Sequence, residues 1–496
     1  MTTTRLDDRG SADSKLKSLA LVGAIWTVLR MGGMQIIRLA GNLTLTRLLP
    51  TEAFGLMALV SAFMQGLVMF SDVGLGPSIV RSERGDDPSF QHTAFSVQVV
   101  RSWLMFALSC GSAAFCAAFY GEESLRWLIP LASIGMLLEG FRSIRFLAAG
   151  RELAVKPVVK LELLSQFIGV ATMVGLAYRY RSVWALAVGG IATSIGRLVL
   201  SHTMLPGERD RFGWERHALR ELFSFGKWVF VSSSFTFLAR VLDRLLFGKL
   251  ISMAALGVYG VAANLCAMPI ELIGSIGTQV MFPLYSRVLG QGGHAELKKQ
   301  LVELRRPLMI TSGWILAGFI AGGSTLIDIL FDARFHAAGE MLQWLAFGGW
   351  FGILEVISSA ALWAIGKPRA ATIGNAVKAV AVLVLLPLGF RAGGITGGIW
   401  AVAAAEFLKY VACAYQLVRN DLGTLAQDGR CTLALIATAA AGLVTVHLLI
   451  GSHPIVRLLA MTCVVTAGWS PVLVPACRAL LRQRRAAASP TSGFIW

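Results

Sequence analysis

Charge is scarce in this sequence. Of 496 residues only 15% are Asp, Glu, Lys or Arg, while 55% are hydrophobic. An ordinary soluble domain is about one quarter charged, so that class is excluded. Cysteine is sparse as well. There are seven, none in a CxxC pair, and Cys110, Cys116, Cys266, Cys413 and Cys463 sit inside apolar runs. That spacing argues against a disulfide framework or thiolate metal ligands and for small buried apolar side chains. The seven histidines show no HExxH or other paired spacing, so no metal centre is expected. No nucleophile–base pairing emerges either, and the chain does not read as an enzyme. Acids are outnumbered by bases, 28 to 45, for a net charge of +17. Yet no stretch interleaves bases and aromatics on a polar face, so nucleic acid is not the expected partner. The apolar runs lack the alternation, over about ten residues, that barrel strands require. The polar start, MTTTRLDDRGSADSKLK, is not followed by a short apolar segment with a cleavage site. The first helix is therefore expected to act as an uncleaved signal anchor.

What the chain does have is apolar runs of about 20 residues from end to end, each long enough to cross ~30 Å of hydrocarbon as a helix. Fifty-two glycines suit helices that pack closely in lipid. The expected fold is an all-α polytopic membrane protein of about 14 transmembrane helices. A tail (1–17) precedes helices 1–6 (18–205), and a charged loop (206–222) precedes helices 7–12 (223–420). Two further helices and a basic tail occupy 421–496. The segment 286–306 carries Leu297, Leu301 and Leu304 at helical spacing and suggests an interfacial helix. Under strict alternation most of the 45 lysines and arginines fall on the side shared with the N-terminus, which predicts both termini cytoplasmic.

Displacing the sequence by 202 positions pairs Arg38 with Arg240, Leu48 with Leu250, Ala53 with Ala255 and Gly55 with Gly257. This weak but ordered correspondence predicts two pseudo-symmetric six-helix lobes, an arrangement typical of transporters. Helices 13 and 14 have no counterpart and read as an appendage.

The chemistry-bearing residues are bases inside apolar runs: Arg30, Arg38, Arg101, Arg197, Arg240, Arg244, Lys378 and Lys409. A charge at bilayer depth costs a few kcal/mol or more and normally faces a wet or protein-lined cavity. Arg30 and Arg38 are ~12 Å apart along one helix and can share a broad face. Guanidinium forks suit phosphate oxygens, so Arg30, Arg38, Arg101, Arg240, Arg244 and Lys378 are the candidates for a cationic, substrate-binding cavity. Arg240 is also placed to pair with Asp243 at i,i+3. Arg197 and Lys409, near helix ends, read as snorkelling side chains. Among the intramembrane acids, Glu271 follows Pro269, where a broken helix would free carbonyls. It and Asp72 are the candidates for proton or sodium coupling. Gly393-Gly-Ile-Thr-Gly-Gly lacks the Lys-Ser/Thr ending of a phosphate loop and reads as helix packing.

TRLLPTEAFGLMALV (46–60) and FSDVGLGPSIVRS (70–82) together resemble the pattern A/T-R-x-L-x-P-x-x-F-G, then D-x-G-hydrophobic, of Wzx-type polysaccharide and O-antigen flippases. These belong to the multidrug/oligosaccharidyl-lipid/polysaccharide exporter superfamily. Asp72, Gly74 and Gly150-Arg151 fit that pattern. The resemblance implies a two-lobed fold of 12 or 14 helices in the bacterial inner membrane. It would carry undecaprenyl-diphosphate-linked oligosaccharide to the periplasmic leaflet by alternating access, for exopolysaccharide, capsule or O-antigen. It transfers no individual arginine, because cavity residues vary within the family. It further implies a monomer without cofactor, working beside a polysaccharide polymerase and chain-length machinery. A lipid II flippase is the sibling reading. A multidrug exporter fits less well, since cationic drugs call for an acidic cavity. A polymerase would have a long outside loop, which this sequence lacks.

Overall fold

The computed structural model describes residues 26, 29–71, 75, 79, 82, 84–85, 87–148, 155–205 and 210–470. The tails, Asp72, Gly74 and Gly150-Arg151 lie outside them, and so do the expectations placed there.

Among the described residues there are fourteen long helices, as the apolar runs predict. They are α1 (29–48), α2 (Thr51–Phe70), α3 (Pro88–Tyr120), α4 (Leu125–Gly140), α5 (Val155–Tyr180), α6 (Trp184–Met204) and α7 (Arg216–Leu250). Then come α8 (Met253–Ile276), α9 (294–330), α10 (Ala337–Ala364), α11 (369–392), α12 (395–419), α13 (Leu425–Leu448) and α14 (Pro454–Ser470). Glycine makes two of the divisions. The helical run Phe282–Leu330 turns at Gly293 (φ 68°, ψ −164°), and Arg369–Arg419 turns at Gly393-Gly394, the latter at φ 60°. Past that turn Gly397 lies against Gly389, where a Cβ would come within 2.1 Å of the Gly389 carbonyl oxygen. The glycine run is a packing device, as its missing lysine suggests.

Local signals explain the starts and stops. Asp87 caps α3 by accepting from Ser89 N (3.0 Å), Pro88 supplies the first turn, and Gly121 ends the helix at φ 73°. At α2 the N-cap is Pro50 itself, and the Thr51 hydroxyl contacts Glu52 rather than capping.

Two compact units emerge, one up to Gly257 and one from Val258 on. In the first, α2 packs on α7 and on the start of α8. Thr51 and Met253 are 202 positions apart, as are Gly55 and Gly257. A Cβ on Gly55 would fall 1.9 Å from the Met253 oxygen, and one on Gly257 would fall 2.0 Å from the Thr51 oxygen. Each of the two glycines meets a carbonyl of the other's helix.

In the second unit, Trp350 anchors a core with Met309, Ile353, Leu435, Met461 and Trp469. Trp350 Nε1 donates to Thr432 Oγ1 (2.8 Å), and Trp469 Nε1 donates to Thr438 Oγ1 (3.1 Å). Helices α13 and α14 are thus built into this unit, not appended to it. The leucines of 286–306 have helical spacing as expected, but Leu297 and Leu301 are buried with Tyr285 and Leu417. They open α9 instead of lying on the membrane surface.

The segment leading into α7 is strapped to the first unit. Asp210 accepts from Ile144 N (3.1 Å), and Gly213 N and Glu215 N donate to Ser96 and Thr93 hydroxyls. Arg84 forks onto Glu215 through two bonds of 2.8 Å and also holds Asp87. The Arg84 guanidinium, helped by Ser89, holds both carboxyls below their ordinary values. Because these folded-state values are depressed, the clamp contributes fully above the ordinary carboxylate range of about 4. That contribution is lost as pH falls through the depressed values. The melting difference between the wild type and Arg84→Ala is therefore expected to be constant from neutral pH to about 5 and to vanish in stronger acid. A difference that grew on acidification would contradict the clamp.

Candidate functional site

A cavity of about 420 Å³ lies inside the first unit, walled by α2, α3, α4 and α6. Each wall is a helical stripe. From α3 come Gln98, Arg101, Ser102 and Met105, at i, i+3, i+4 and i+7; from α6 come Ala187, Gly190, Ser194 and Arg197; from α4 come Ala132, Gly135, Met136 and Glu139. Met57, Met64 and Val68 of α2 supply the apolar side, and Arg142, just past α4, completes the lining.

The charges converge at one end. Glu139 bridges two arginines, with one oxygen 3.1 Å from Arg197 Nη1 and the other 3.1 Å from Arg142 Nη1. The Arg142 guanidinium also sits 4.1 Å over the Phe146 ring. Gln98 Nε2 donates to the carbonyls of both Gly140 and Arg142 at 2.9 Å, satisfying the α4 end and fixing where Arg142 emerges. Arg101 reaches across to the end of α2, donating to Ser71 Oγ and to the Val68 carbonyl at 2.9 Å each. A cation at a helix C-terminus is favourably placed. Arg30 of α1 pairs with Glu162 of α5 at 3.1 Å, and Glu162 lies within electrostatic reach of Arg142. The lining thus gathers Arg101, Arg142 and Arg197 around one carboxylate, Glu139. A second cavity of about 220 Å³ in the same unit, lined by Leu59, Phe63, Phe115, Phe119 and Ile129 among others, has no charged wall residue.

The second unit holds buried ion pairs of its own. Lys378 pairs with Glu406, and Lys409 pairs with Glu355 at 2.7 Å. Arg305 pairs with Asp428 at 2.9 Å. In each pair one cation meets one anion.

The expected residues therefore divide. Arg101 lines the cavity and Arg30 borders it. Arg38 and Arg240 are exposed on α1 and α7, and Arg244 is half-buried on α7. Lys378 spends its charge on Glu406. Glu271 is exposed on α8, which runs unbroken through Pro269 and loosens only at the π turn Gly277–Met281. Arg197, expected to snorkel, faces the cavity, and Arg142, just past α4, does so too. The Gly190/Ser194/Arg197 stripe was the available signal for the first. Nothing local marked the second, because Arg142 follows a helix end.

The sequence model of the polysaccharide biosynthesis protein family matches residues 44–340. The teichuronic acid biosynthesis protein TuaB of Bacillus subtilis (strain 168) is 21% identical over 333 residues, 67% of this chain and 68% of that protein. The amylovoran biosynthesis protein AmsL of Erwinia amylovora is 22% identical over 303 residues, 60% of this chain and 76% of that protein. Among solved structures, the lipid II flippase MurJ in an inward closed conformation superposes with a TM-score of 0.69 at 11% identity, covering 92% of this chain and all of that one. That likeness shows the fold alone, a multi-pass bundle of helices. The Thr46–Ser82 signature overlaps the matched region, and the match extends over more than half of the sequence. This chain belongs to the polysaccharide biosynthesis protein family.

Proposed function

We propose that the protein is a flippase that carries an oligosaccharide repeat unit on undecaprenyl diphosphate across the bacterial inner membrane. It would work by alternating access, for exopolysaccharide, capsule or O-antigen, with both termini in the cytoplasm. The observation that carries this reading is the convergence of Arg101, Arg142 and Arg197 on the first unit's cavity. A diphosphate needs cations shielded from lipid, and Arg142, Arg197 and Arg101 present guanidinium forks to one space. The isoprenoid chain needs no protein site of its own, since it can stay in the bilayer. A cationic wall is ill suited to the cationic drugs of a multidrug exporter. Family membership favours surface polysaccharide over lipid II as the end use.

The test is complementation. In cells lacking the native gene, Arg142→Ala/Arg197→Ala is expected to reduce surface polysaccharide at least tenfold. Lipid-linked repeat unit should accumulate on the cytoplasmic side. Arg38→Ala, on an exposed position, should leave both near wild type. Normal polysaccharide from a correctly folded double variant would overturn the cationic-cavity reading. Rescue of a lipid II flippase deficiency instead would move the cargo to the peptidoglycan precursor.

A further inference from the structure

Glu139 occupies an unusual place for an acid in an anion site. Its two oxygens are divided between two arginines of different origin, Arg197 on α6 and Arg142 beyond α4. A phosphoryl group presents oxygens to guanidiniums in the same way that a carboxylate does. Glu139 therefore sits where two phosphate oxygens would sit, its side chain half-buried and hinged at the last turn of α4. The remaining contacts of the cluster do not depend on it. Arg142 keeps its aromatic face on Phe146, Gln98 keeps the α4 end satisfied, and Arg101 keeps its bonds to α2.

We infer that Glu139 is a built-in placeholder for the diphosphate: it pairs with Arg142 and Arg197 when the cavity is empty, and the incoming head group displaces it. This rests on the cavity being the diphosphate site. The physical consequence is a tuned affinity. Unpaired arginines facing lipid-walled space would be costly, and arginines with no competitor would hold a doubly charged anion too tightly for a carrier to let go. A competing carboxylate on a neighbouring helix lowers both penalties. Binding swaps one ion-pair partner for another, and release is assisted by the returning carboxylate. Glu139 is thus a positioning residue that sets affinity, not a group that grips the cargo.

The experiment uses the full chain in lipid nanodiscs, with farnesyl diphosphate as probe and farnesol as the head-group-free control. Glu139→Gln is expected to bind farnesyl diphosphate about tenfold more tightly than the wild type, with farnesol unchanged, and to support less polysaccharide in cells because release slows. Glu139→Asp, which keeps the charge but shortens its reach, should fall between the two and covers the case in which the glutamine variant does not fold. Arg142→Ala/Arg197→Ala should lose binding. If the wild type binds in an arginine-dependent way but neither Glu139 variant binds more tightly, the placeholder is overturned and the diphosphate site stands. If binding is indifferent to the arginines, the diphosphate reading fails and the placeholder fails with it.

Discussion

Replacing Asp428 with alanine is expected to destabilise the protein by about 3–5 kcal/mol, the cost of leaving one member of a buried ion pair without the other. Its partner, Arg305, has a fully buried side chain, and Asp428 is 3% exposed. Arg305 Nη2 donates to Asp428 Oδ1 (2.9 Å) and to Ser358 Oγ (3.1 Å). The other Asp428 oxygen accepts from Tyr410 (2.9 Å) and Thr424 (3.2 Å). One carboxylate thus joins α9, α10, α12 and the start of α13. Its loss strands a guanidinium and two hydroxyls where water cannot reach them. The contrast that makes the expectation specific is the double change Arg305→Met/Asp428→Leu. A well-packed apolar pair in place of a buried ion pair is often neutral or better, so the double variant should melt closer to the wild type than Asp428→Ala does. Thermal unfolding in detergent micelles measures both. A single variant that melts with the wild type, or a double variant that melts below the single, would sink this account.

Alanine at Gly55 or at Gly257 should be nearly as damaging, about 3 kcal/mol, the upper end for an overpacked site. The obstacle in each case is a backbone carbonyl, 1.9 Å away for Gly55 and 2.0 Å away for Gly257, and a carbonyl inside a helix cannot swing aside. The two helices must separate. Reciprocity sharpens the expectation, because both methyls press on the same crossing of α2 with α8. Once the first has forced the helices apart, the second meets less resistance. The double alanine variant should therefore cost clearly less than the sum of the singles, a coupling expected of neighbours and not of independent sites. Melting temperatures of the two singles and the double decide it. Strict additivity would mean that the two glycines do not share one contact.

Much of the fold was legible in the sequence, and the reason is local. Helix number, the Pro50 start of α2 and the glycine turns at 293 and 393–394 follow from chain length, hydropathy and the few conformations open to Pro and Gly. Bases in apolar helices were equally visible. Their partners were not. Arg30, which has no acid on its own helix nearby, meets Glu162 of α5, 132 positions on. Arg197 meets Glu139 from 58 positions away, and Arg305, in the segment expected at the membrane interface, is sealed against Asp428 across 123. Spacing along one helix reveals only i,i+3 and i,i+4 neighbours; pairing between helices depends on how they pack.

The amino-acid sequence by itself determined that this is a multi-helix membrane protein with bases set inside its apolar runs. Those properties are sums over local segments. Which charges meet was decided by the tertiary structure alone. It joined three buried cations to three anions in the second unit and gathered Arg101, Arg142 and Arg197 around Glu139 in the first. An ion pair between helices depends on distances of about 3 Å that only their packing sets.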